Sequence, residues 1–490
     1  MPRFVAMLRL KAALANRVWR RLCEPARRRF QQSLANPAAA QSAVLQRILR
    51  RHSQSAYGRH FGLNRDTDYA RFSQTVPIAN YADLEPYIER AKQGEHDVLC
   101  RGPIRAFELT SGTTSGAKWI PFTDDLRGEF QEAVRAWMGD LYQRHPDLAD
   151  GRAWWVISQL PPEASVTAGG IPVGLANDDA YLGWWERKFA SWLRVAHTTD
   201  LATAAQELRT AQDLRLISVW NPSYLALLLE QLSPAATRTL WPNLRIISGW
   251  ADAGAGPDAE AIRHLFPDVT FQPKGLLATE GVITIPWGAE SAHSLPALHS
   301  HFLEFQHCQT RAICRVHEVR TDNDYEVILT TSGGLWRYRL QDVVRVTGWE
   351  KMTPRLRFLG RADGGCDLRG EKLDPIFVQS ALKSLTSDFA MLAPSGSSQT
   401  PGYVLFTSDP EVEAAPLEVA LRANPYYAHA LAVGQLAPVR VFHVTDALPT
   451  RRYLERCIHL GQRSGTVKPA VLHPCTGWEN WFCGKFRSQP

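Results

Sequence analysis

The sequence lacks the cysteine patterns that mark metal-binding and secreted proteins. Its eight cysteines are scattered over 490 residues, with no CxxC pair and no Cys/His group at zinc-ligand spacing. No apolar run approaches the ~18 residues that cross a bilayer, and the arginine-rich start cannot supply the apolar core of a signal peptide. These absences argue against a structural zinc site, export and stable membrane insertion. We therefore expect a cytoplasmic protein with reduced thiols.

Acidic residues are nearly missing from the first 60 residues, where Glu24 is the only one against thirteen Lys and Arg. The spacing of Phe4, Leu14, Val18 and Trp19 predicts a basic amphipathic helix in this segment. We expect residues 1–60 to pack on the body of the protein; contact with a membrane surface or an acidic partner, or a role as an organelle transit segment, stays open. The rest of the chain carries a net charge of −6 and no recognition motif, so we expect no nucleic-acid partner.

The fingerprints of two large classes of nucleotide-binding protein are also missing. In the hydroxyl-rich stretch TSGTTSGAK, only three residues separate Gly112 from Gly116, and Ala117 precedes Lys118. A Walker loop needs four residues there and a lysine directly after the second glycine. The G-x-G-x-x-G pattern of dinucleotide-binding folds fails as well. The stretch is therefore either a loop whose hydroxyls and backbone N–H groups suit a phosphate, or an ordinary solvent-exposed loop.

What the sequence does have is apolar material for a large core, with 45% hydrophobic residues and 16 tryptophans. Past residue 60, short β-favouring runs alternate with helical stretches, which predicts an α/β fold with mainly parallel sheets flanked by helices. Strands are expected at residues 153–158, 214–220, 244–248 and 269–272, and a tight hairpin over residues 325–348 that turns at Ser332, Gly333 and Gly334. The glycine-rich stretch RADGGCDLRGEKLDP marks a boundary, after which a small α+β domain is expected. The predicted domains are residues 1–60, 61–360 and 361–490.

Five motifs, in order, resemble those of adenylate-forming enzymes, the superfamily of acyl-CoA synthetases, nonribosomal peptide adenylation domains and luciferases. LTSGTTSGAKWIPFT (109–123) resembles the phosphate-binding loop, LLATEG (276–281) the adenine and metal motif, YRLQDVV (338–344) the Tyr-Arg-x-Gly-Asp motif, FLGRADGGCDLRGEKL (358–373) the hinge, and SGTVKPAVL (464–472) the closing segment with its mobile lysine. Within this superfamily the chain is identified as a member of the Gretchen Hagen family, the plant auxin-responsive acyl-acid amido synthetases and their bacterial relatives. We expect a bacterial member.

The resemblance implies roles for individual residues. The nucleotide-binding residues it implies are Thr110, Ser111, Gly112, Thr113, Thr114, Ser115, Gly116, Lys118, Thr279, Glu280, Asp342, Arg361 and Lys372. Glu280 would hold Mg²⁺ on the ATP phosphates, because this hard cation takes oxygen ligands, and Asp342 would bind the ribose hydroxyls. Lys468 would be the catalytic residue and Asp363 the hinge of a mobile small domain. Lys372 either faces the active site or is a solvated turn lysine.

Other positions depart from the family pattern or carry no assigned role. Leu276 replaces the motif's aromatic residue and Gln341 replaces its glycine, so adenine stacking and the local backbone are expected to differ. HFLEFQ (301–306) resembles the family's Phe-Glu-Phe strand, and we give its Glu304 no catalytic role. Tryptophans 154, 155, 184, 185 and 192 either line an acyl pocket or belong to the core.

The resemblance implies an ATP-dependent ligase that forms a C–N bond. A carboxylic acid would be activated as an acyl adenylate, with ATP and Mg²⁺ as cofactors, and then transferred to an amine such as an amino acid. An acyl-CoA synthetase or a carrier-protein ligase is an alternative that differs only in the acceptor. A non-catalytic relative that binds nucleotide is a second alternative, kept open by Leu276 and Gln341.

Overall fold

The computed structural model describes the chain except residues 1, 110–117, 157–164, 175–194, 197–200, 212, 221, 233–239, 253–254, 289–293, 362–364, 374, 384, 386, 388, 396–399, 460–469 and 488–490. The chain forms two compact units, residues 1–110 with 118–360 and residues 361–490. Among the described residues, none of the helices combines the length and the apolar character that a membrane crossing requires.

The helices of the first unit begin with a long basic helix. They are α1 (Pro2–Ser33), α2 (Pro37–His52), α3 (Ala56–His60), α4 (Tyr69–Thr75), α5 (Tyr81–Lys92), α6 (Asp124–Arg144), α7 (Leu201–Thr210), α8 (Pro222–Leu232) and α9 (Gly256–Leu265). The predicted amphipathic helix is α1: Ala12, Trp19 and Cys23 lie on one face and pack with Met138 and Leu141 of α6. Helix α6 begins directly after Thr123, whose side chain accepts a hydrogen bond from the Leu126 amide and caps the helix.

The first unit contains a parallel sheet, which an antiparallel strand pair precedes in the chain. The pair is β1 (Ile104–Leu109) and β2 (Trp119–Thr123); the sheet strands are β3 (Arg152–Val156), β4 (Val195–Ala196), β5 (Leu214–Ser218), β6 (Ile246–Gly249) and β7 (Thr270–Pro273). They lie in the order β4-β3-β5-β6-β7, and all neighbours are parallel. Ile217 and Ile247 pack in the cluster of α7, α8 and α9, whereas Leu216 and Ile246 pack against α1 and α6. Burial on both faces explains why these strands read as continuous apolar runs.

A second, antiparallel sheet follows two short strand pairs. The pairs are β8 (Leu277–Ala278) with β9 (Gly281–Val282) and β10 (Thr284–Ile285) with β11 (Leu295–Pro296); the sheet is β12 (Phe302–His307), β13 (Ile313–Arg315), β14 (Asp324–Thr330), β15 (Tyr338–Glu350) and β16 (Thr353–Arg361), in the order β13-β12-β14-β15-β16. Leu303, Phe305 and Val327 face the core. The predicted hairpin is β14–β15, and the chain turns where predicted: the Gly334 amide donates to the Thr331 carbonyl at 3.2 Å and the Thr331 amide donates to the Leu335 carbonyl at 2.8 Å. Strand β14 ends at Thr330 and β15 begins at Tyr338, so residues 331–337 lie between the paired strands. Within them, Gly334 lies so close to Leu99 that a Cβ there would be 2.5 Å from the leucine Cβ.

The second unit is a small α+β domain. Its elements are α10 (Pro375–Ala381), β17 (Ala390–Pro394), β18 (Gly402–Thr407), α11 (Ala414–Leu421), α12 (Pro425–Ala432), β19 (Ala437–Val444), α13 (Pro449–His459) and β20 (Gly484–Phe486). The sheet order is β17-β18-β19-β20, with β18 and β19 parallel and the other pairs antiparallel. The predicted fold class, α/β with a parallel sheet and a separate C-terminal domain, is confirmed; the second large sheet of the first unit is antiparallel.

Candidate functional site

Thr279 and Glu280 form the turn of the β8–β9 hairpin. Ala278 pairs with Gly281, so these two residues alone connect the strands. The Glu280 side chain is buried, with 7% of the residue exposed. The hairpin base is fixed by the Leu276 amide, which donates to the Thr284 hydroxyl at 2.7 Å. The turn therefore carries a carboxylate and a hydroxyl, both of which have oxygen atoms that can bind a metal ion, on a short hairpin whose base is fixed by a hydrogen bond.

Asp342 follows a left-handed residue near the start of β15. Glu326 pairs with Val343 and Ile328 with Arg339, so residues 340–342 lie opposite the single residue 327 and form a bulge. Gln341 has φ 69°, a conformation that glycine adopts freely and that costs other residues ~1–2 kcal/mol. The glutamine thus holds a glycine-like backbone at the position where the motif has glycine. Asp342 itself is buried, at 6% exposure.

Lys118 lies beside the same strand. It directly precedes β2 and donates a hydrogen bond to the Tyr338 hydroxyl at 3.3 Å. Tyr338 is the first residue of β15 and is fully buried. Two of the predicted site segments, the end of the hydroxyl-rich stretch and the strand of Asp342, are therefore in contact in the first unit.

Lys372 lies in the second unit, next to a buried glutamate. It is half-buried and has a left-handed backbone, φ 43°. The neighbouring Glu371 carboxylate accepts hydrogen bonds from the Leu368 amide at 2.7 Å, the Arg369 amide at 2.6 Å and the Tyr403 hydroxyl. Burial and the nearby Asp367 charge raise the pKa of Glu371 to about 7.

Several predicted residues lie outside the described part of the chain. They are Thr110, Ser111, Gly112, Thr113, Thr114, Ser115, Gly116, Asp363 and Lys468. Arg361 is described only as the last residue of β16. The assignments of these residues stay predictions.

An aromatic surface that the sequence analysis missed lies at the carboxyl ends of β5, β6 and β7. The Trp220 and Trp250 rings are 5.8 Å apart, and the Lys274 Nζ lies 4.2 Å from the Trp220 ring centroid. Lys274 is buried, at 6% exposure. Ligands of parallel α/β sheets bind at the carboxyl ends of the strands, so the aromatic and basic residues within two positions of the end of each predicted strand were the available signal. Of the tryptophans singled out from the sequence, Trp154 is core, at 2% exposure.

Comparison with known proteins decides the family. The model of the GH3 family N-terminal domain matches residues 26–232, and the model of the GH3 family central domain matches residues 294–361. Together the two matches cover more than half of the chain. The chain belongs to the GH3 family.

Relatives of this GH3 family member include plant enzymes. The jasmonoyl-L-amino acid synthetase JAR6 of Nicotiana attenuata is 24% identical over 442 residues, which cover 73% of this chain and 76% of the relative. The indole-3-acetic acid-amido synthetase GH3.15 of Arabidopsis thaliana is 25% identical over 448 residues, 73% of each chain.

Solved structures share the fold of this GH3 family member. The GH3.15 acyl acid amido synthetase in complex with 2,4-DB matches with a TM-score of 0.61 at 18% identity, over 94% of this chain and 96% of that chain. A 2-hydroxyisobutyryl-CoA ligase in complex with 2-HIB-AMP and CoA matches with a TM-score of 0.59 at 16% identity, over 91% and 92%. At these identities the matches establish the fold.

The matched ranges of the two GH3 family models include some of the candidate residues and exclude others. Lys118 lies in the range of the N-terminal domain model and Asp342 in that of the central domain model, whereas Glu280 and Lys468 lie in neither range. The assignments of Glu280 and Lys468 therefore rest on their own motifs.

Proposed function

We propose that the protein is an ATP-dependent acyl-acid amido synthetase. In the first step a carboxylate attacks the α-phosphorus of ATP, forming the acyl adenylate and releasing pyrophosphate. In the second step an amine, such as that of an amino acid, attacks the acyl carbon, and amide, AMP and a proton are produced. The observation that carries the proposal is Asp342: a buried carboxylate after a left-handed bulge, in a sequence that resembles the ribose-binding motif of adenylate-forming enzymes.

The nucleotide would be held by the residues that the resemblance assigns to it. Asp342 accepts hydrogen bonds from the ribose hydroxyls, as an ionised carboxylate can from two donors. The hydroxyls and backbone N–H groups of residues 110–116 bind the β- and γ-phosphates, and Lys118 adds a positive charge. Arg361 and Lys372 are further nucleotide ligands in this proposal.

Glu280 fits a magnesium ion that arrives with ATP. The described residues contain no group of three or more His, Cys, Asp and Glu side chains that would form a metal cage. Mg²⁺ on nucleotides is usually held by one or two carboxylates together with the phosphates and water, and the buried Glu280 carboxylate with the Thr279 hydroxyl beside it suits that donor set. The ion would neutralise phosphate charge during attack on the α-phosphorus.

Lys468, in the second unit, would supply a positive charge to the transition state of the first step. Charge develops on the phosphate oxygens as pyrophosphate leaves, and a preorganised donor of this kind is worth ~3 kcal/mol. Asp363 would be the hinge that places Lys468 for the first step and withdraws it for the second.

The surface of Trp220, Trp250 and Lys274 is our candidate for the acyl group of the acid. Aromatic walls bind an apolar or aromatic acyl chain, and a cation near them attracts the carboxylate. Its place at the carboxyl ends of parallel strands supports this choice.

The basic face of α1 suits an acidic surface. Its exposed residues include Lys11, Arg17, Arg20, Arg21, Leu14 and Leu22. Basic residues with interspersed leucines bind anionic membrane surfaces or acidic proteins. This contact, a bacterial origin and a cytoplasmic location stay predictions.

The choice of acceptor tests the proposed function. The purified protein is incubated with ATP, Mg²⁺ and a panel of carboxylic acids, and amino acids, CoA or hydroxylamine are added in separate reactions. Mass spectrometry of the products is expected to find an amide with an amino acid and no thioester. A thioester without amide would instead assign an acyl-CoA synthetase, whose fold is represented among the structural matches. Nucleotide binding without any product would assign a non-catalytic relative.

A further inference from the structure

A chain of buried hydrogen bonds links α6 to the Thr279–Glu280 turn through His301. His301 directly precedes β12 and is fully buried, and Glu129 of α6 is 4% exposed. The Val282 amide, in the strand that leaves the turn, donates to His301 Nε2 at 3.0 Å. His301 Nδ1 lies 3.0 Å from Glu129 Oε2. The backbone of the hairpin is thus connected to a carboxylate on another element by a single imidazole ring.

The hydrogen-bond directions fix the state of the ring. Because a backbone N–H can only donate, Nε2 must carry the lone pair, and the proton of the neutral ring lies on Nδ1. Nδ1–H then donates to Glu129 Oε2, so both bonds run in one direction and polarise each other. Any residue at position 301 that fails to accept at one end and donate at the other breaks the connection.

Glu129 also holds the turn that precedes β15. The Ser332 hydroxyl donates to Glu129 Oε1 at 2.6 Å and the Ser332 amide to Oε2 at 3.1 Å. Arg47 Nη2 lies 3.5 Å from Oε1. The buried carboxylate is therefore supported by hydrogen bonds and a positive charge, which offset its loss of solvation. One side chain of α6 fixes both the β8–β9 hairpin and the β14–β15 connection.

The hairpin approaches His301 so closely that position 281 accommodates only glycine without a shift. A Cβ at Gly281 would lie 2.8 Å from His301 Nε2, a separation that side-chain atoms do not tolerate. The imidazole therefore lies directly against the backbone of the residue that follows Glu280. A displacement of the ring is transmitted to the turn.

We propose that Glu129 and His301 are positioning residues for the ATP step, which fix the Thr279–Glu280 turn against α6 and the β14–β15 connection. The proposal rests on the proposed function, in which Glu280 holds Mg²⁺ on ATP. Helix α6 begins where β2 ends, and Lys118 directly precedes β2; the strand after Ser332 carries Asp342. Glu129 thereby joins the three segments that carry the proposed nucleotide ligands of the first unit.

Two substitutions of His301 separate its two bonds. The amide of asparagine lies near the place of Nδ1, so His301→Asn keeps a donor toward Glu129 and loses the acceptor for the Val282 amide. The longer glutamine reaches the place of Nε2, so His301→Gln keeps that acceptor. We expect His301→Asn to raise the KM for Mg·ATP and the Mg²⁺ concentration at half-maximal rate about 10- to 100-fold, as loss of a supporting hydrogen bond at a metal site does. The KM for the acid is expected to change less than about twofold, and His301→Gln to keep the KM for Mg·ATP within about threefold.

Matched controls distinguish positioning from general damage. His52→Asn changes another fully buried histidine, whose Nδ1 accepts from the Arg101 amide at 3.0 Å, and should leave the KM for Mg·ATP unchanged. Ser332→Ala, a milder change that removes the 2.6 Å bond to Glu129, should shift the same constants in the direction of His301→Asn. It also keeps the test valid if His301→Asn does not fold.

The Mg²⁺ and ATP dependence of pyrophosphate exchange in the two variants decides the inference. The inference is overturned if His301→Asn and Ser332→Ala leave the Mg²⁺ and ATP dependence of acid-stimulated pyrophosphate exchange unchanged, or if they raise the KM values for acid and ATP equally. If the unaltered protein binds no Mg·ATP and shows no exchange with any acid, the proposed function fails and this inference fails with it. An active parent with insensitive variants overturns this inference alone.

Discussion

Arg337, which directly precedes β15, and Glu304 of β12 form a two-point ion pair. Arg337 Nε donates to Glu304 Oε2 and Nη2 to Oε1, each at 2.9 Å, and the two residues are 5% and 0% exposed. The remaining nitrogen, Nη1, donates to the backbone oxygens of Ser73 and Val76 at 2.7 and 2.8 Å. The pair thus attaches the end of α4 to the sheet, which is a structural role for the glutamate of the HFLEFQ segment.

Glu304→Gln is expected to lower the free energy of unfolding of the first unit by about 3–5 kcal/mol, because it leaves the buried guanidinium without a counter-charge. The matched control is Glu318→Gln, which removes an exposed pair with Arg315 and should cost less than about 1 kcal/mol. Urea unfolding followed by tryptophan fluorescence measures both. Equal effects of the two substitutions would contradict the role given to Glu304.

Gln341→Gly is expected to stabilise the first unit by about 0.5–1 kcal/mol. The change relieves the cost of a left-handed residue, and part of the gain is lost to the greater freedom of glycine in the unfolded chain. Val343→Gly, two residues further along β15, is the control and should destabilise the strand. If Gln341→Gly destabilises as much as the control in urea unfolding, the left-handed backbone is not a source of strain.

Glu280→Ala is expected to lower the rate of acid-stimulated pyrophosphate exchange about 10²- to 10³-fold, because a ligand for the charge of the phosphates is lost. Asp140→Asn is the control, since Asp140 is equally buried and accepts from the Gly288 amide at 3.2 Å. The exchange rate at saturating ATP distinguishes them. A fully active Glu280→Ala protein would remove Glu280 from the site.

The pH dependence of the second unit is expected to reflect Glu371, whose pKa is raised to about 7 by burial. The unfolded chain releases the Glu371 proton near pH 4.5, whereas the folded unit releases it only near pH 7. The contribution of Glu371 to the free energy of unfolding is therefore complete below about pH 4.5. It falls by up to ~1.4 kcal/mol per pH unit as the pH rises to 7. Glu371→Gln removes this loss. Its stability relative to the unaltered protein should therefore increase from pH 5 to 7.

Comparing the unaltered protein with Glu371→Gln also cancels the contribution of His473, which changes with pH in the opposite direction. Burial lowers the pKa of His473 to about 4, so the unfolded chain binds its proton first and stability rises with pH between about 4 and 6.5. That term is the same in both proteins. Hydrogen exchange of peptides from residues 361–490, measured side by side at each pH, reports the difference. A difference that is constant with pH would contradict the raised pKa.

Local sequence pattern was sufficient for the elements that are mostly buried. The runs at Leu214–Ser218 and Thr270–Pro273 are strands because β-favouring residues bury both faces of a parallel sheet. The two-residue strands of the β8–β9 hairpin have no such pattern, and only the motif directed attention to them. The turn at Ser332, Gly333 and Gly334 was predictable from its residue types, but the contact of Gly334 with the distant Leu99 was not.

Contacts between distant residues were beyond the reach of sequence patterns. Glu129 and His301 are 172 positions apart, and a lone histidine before an apolar strand carries no signal of its partner. The row of Trp220, Trp250 and Lys274 needs the alignment of three strands, which register fixes only in the folded sheet. By contrast, the motif that contains Asp342 is continuous in sequence, so its assignment to the ribose could be made from the sequence and stays a prediction.

Acid-stimulated ATP–pyrophosphate exchange tests the account most directly, in the unaltered protein and in Lys468→Ala. We expect at least one carboxylic acid of a broad panel to stimulate exchange in the presence of Mg²⁺. Lys468→Ala should reduce exchange at least ~100-fold while ATP binding, measured by calorimetry, is largely retained, because the lysine acts on charge that develops in the transition state. A fully active Lys468→Ala protein would contradict the role of that lysine. The absence of exchange with every acid would contradict the proposed function itself.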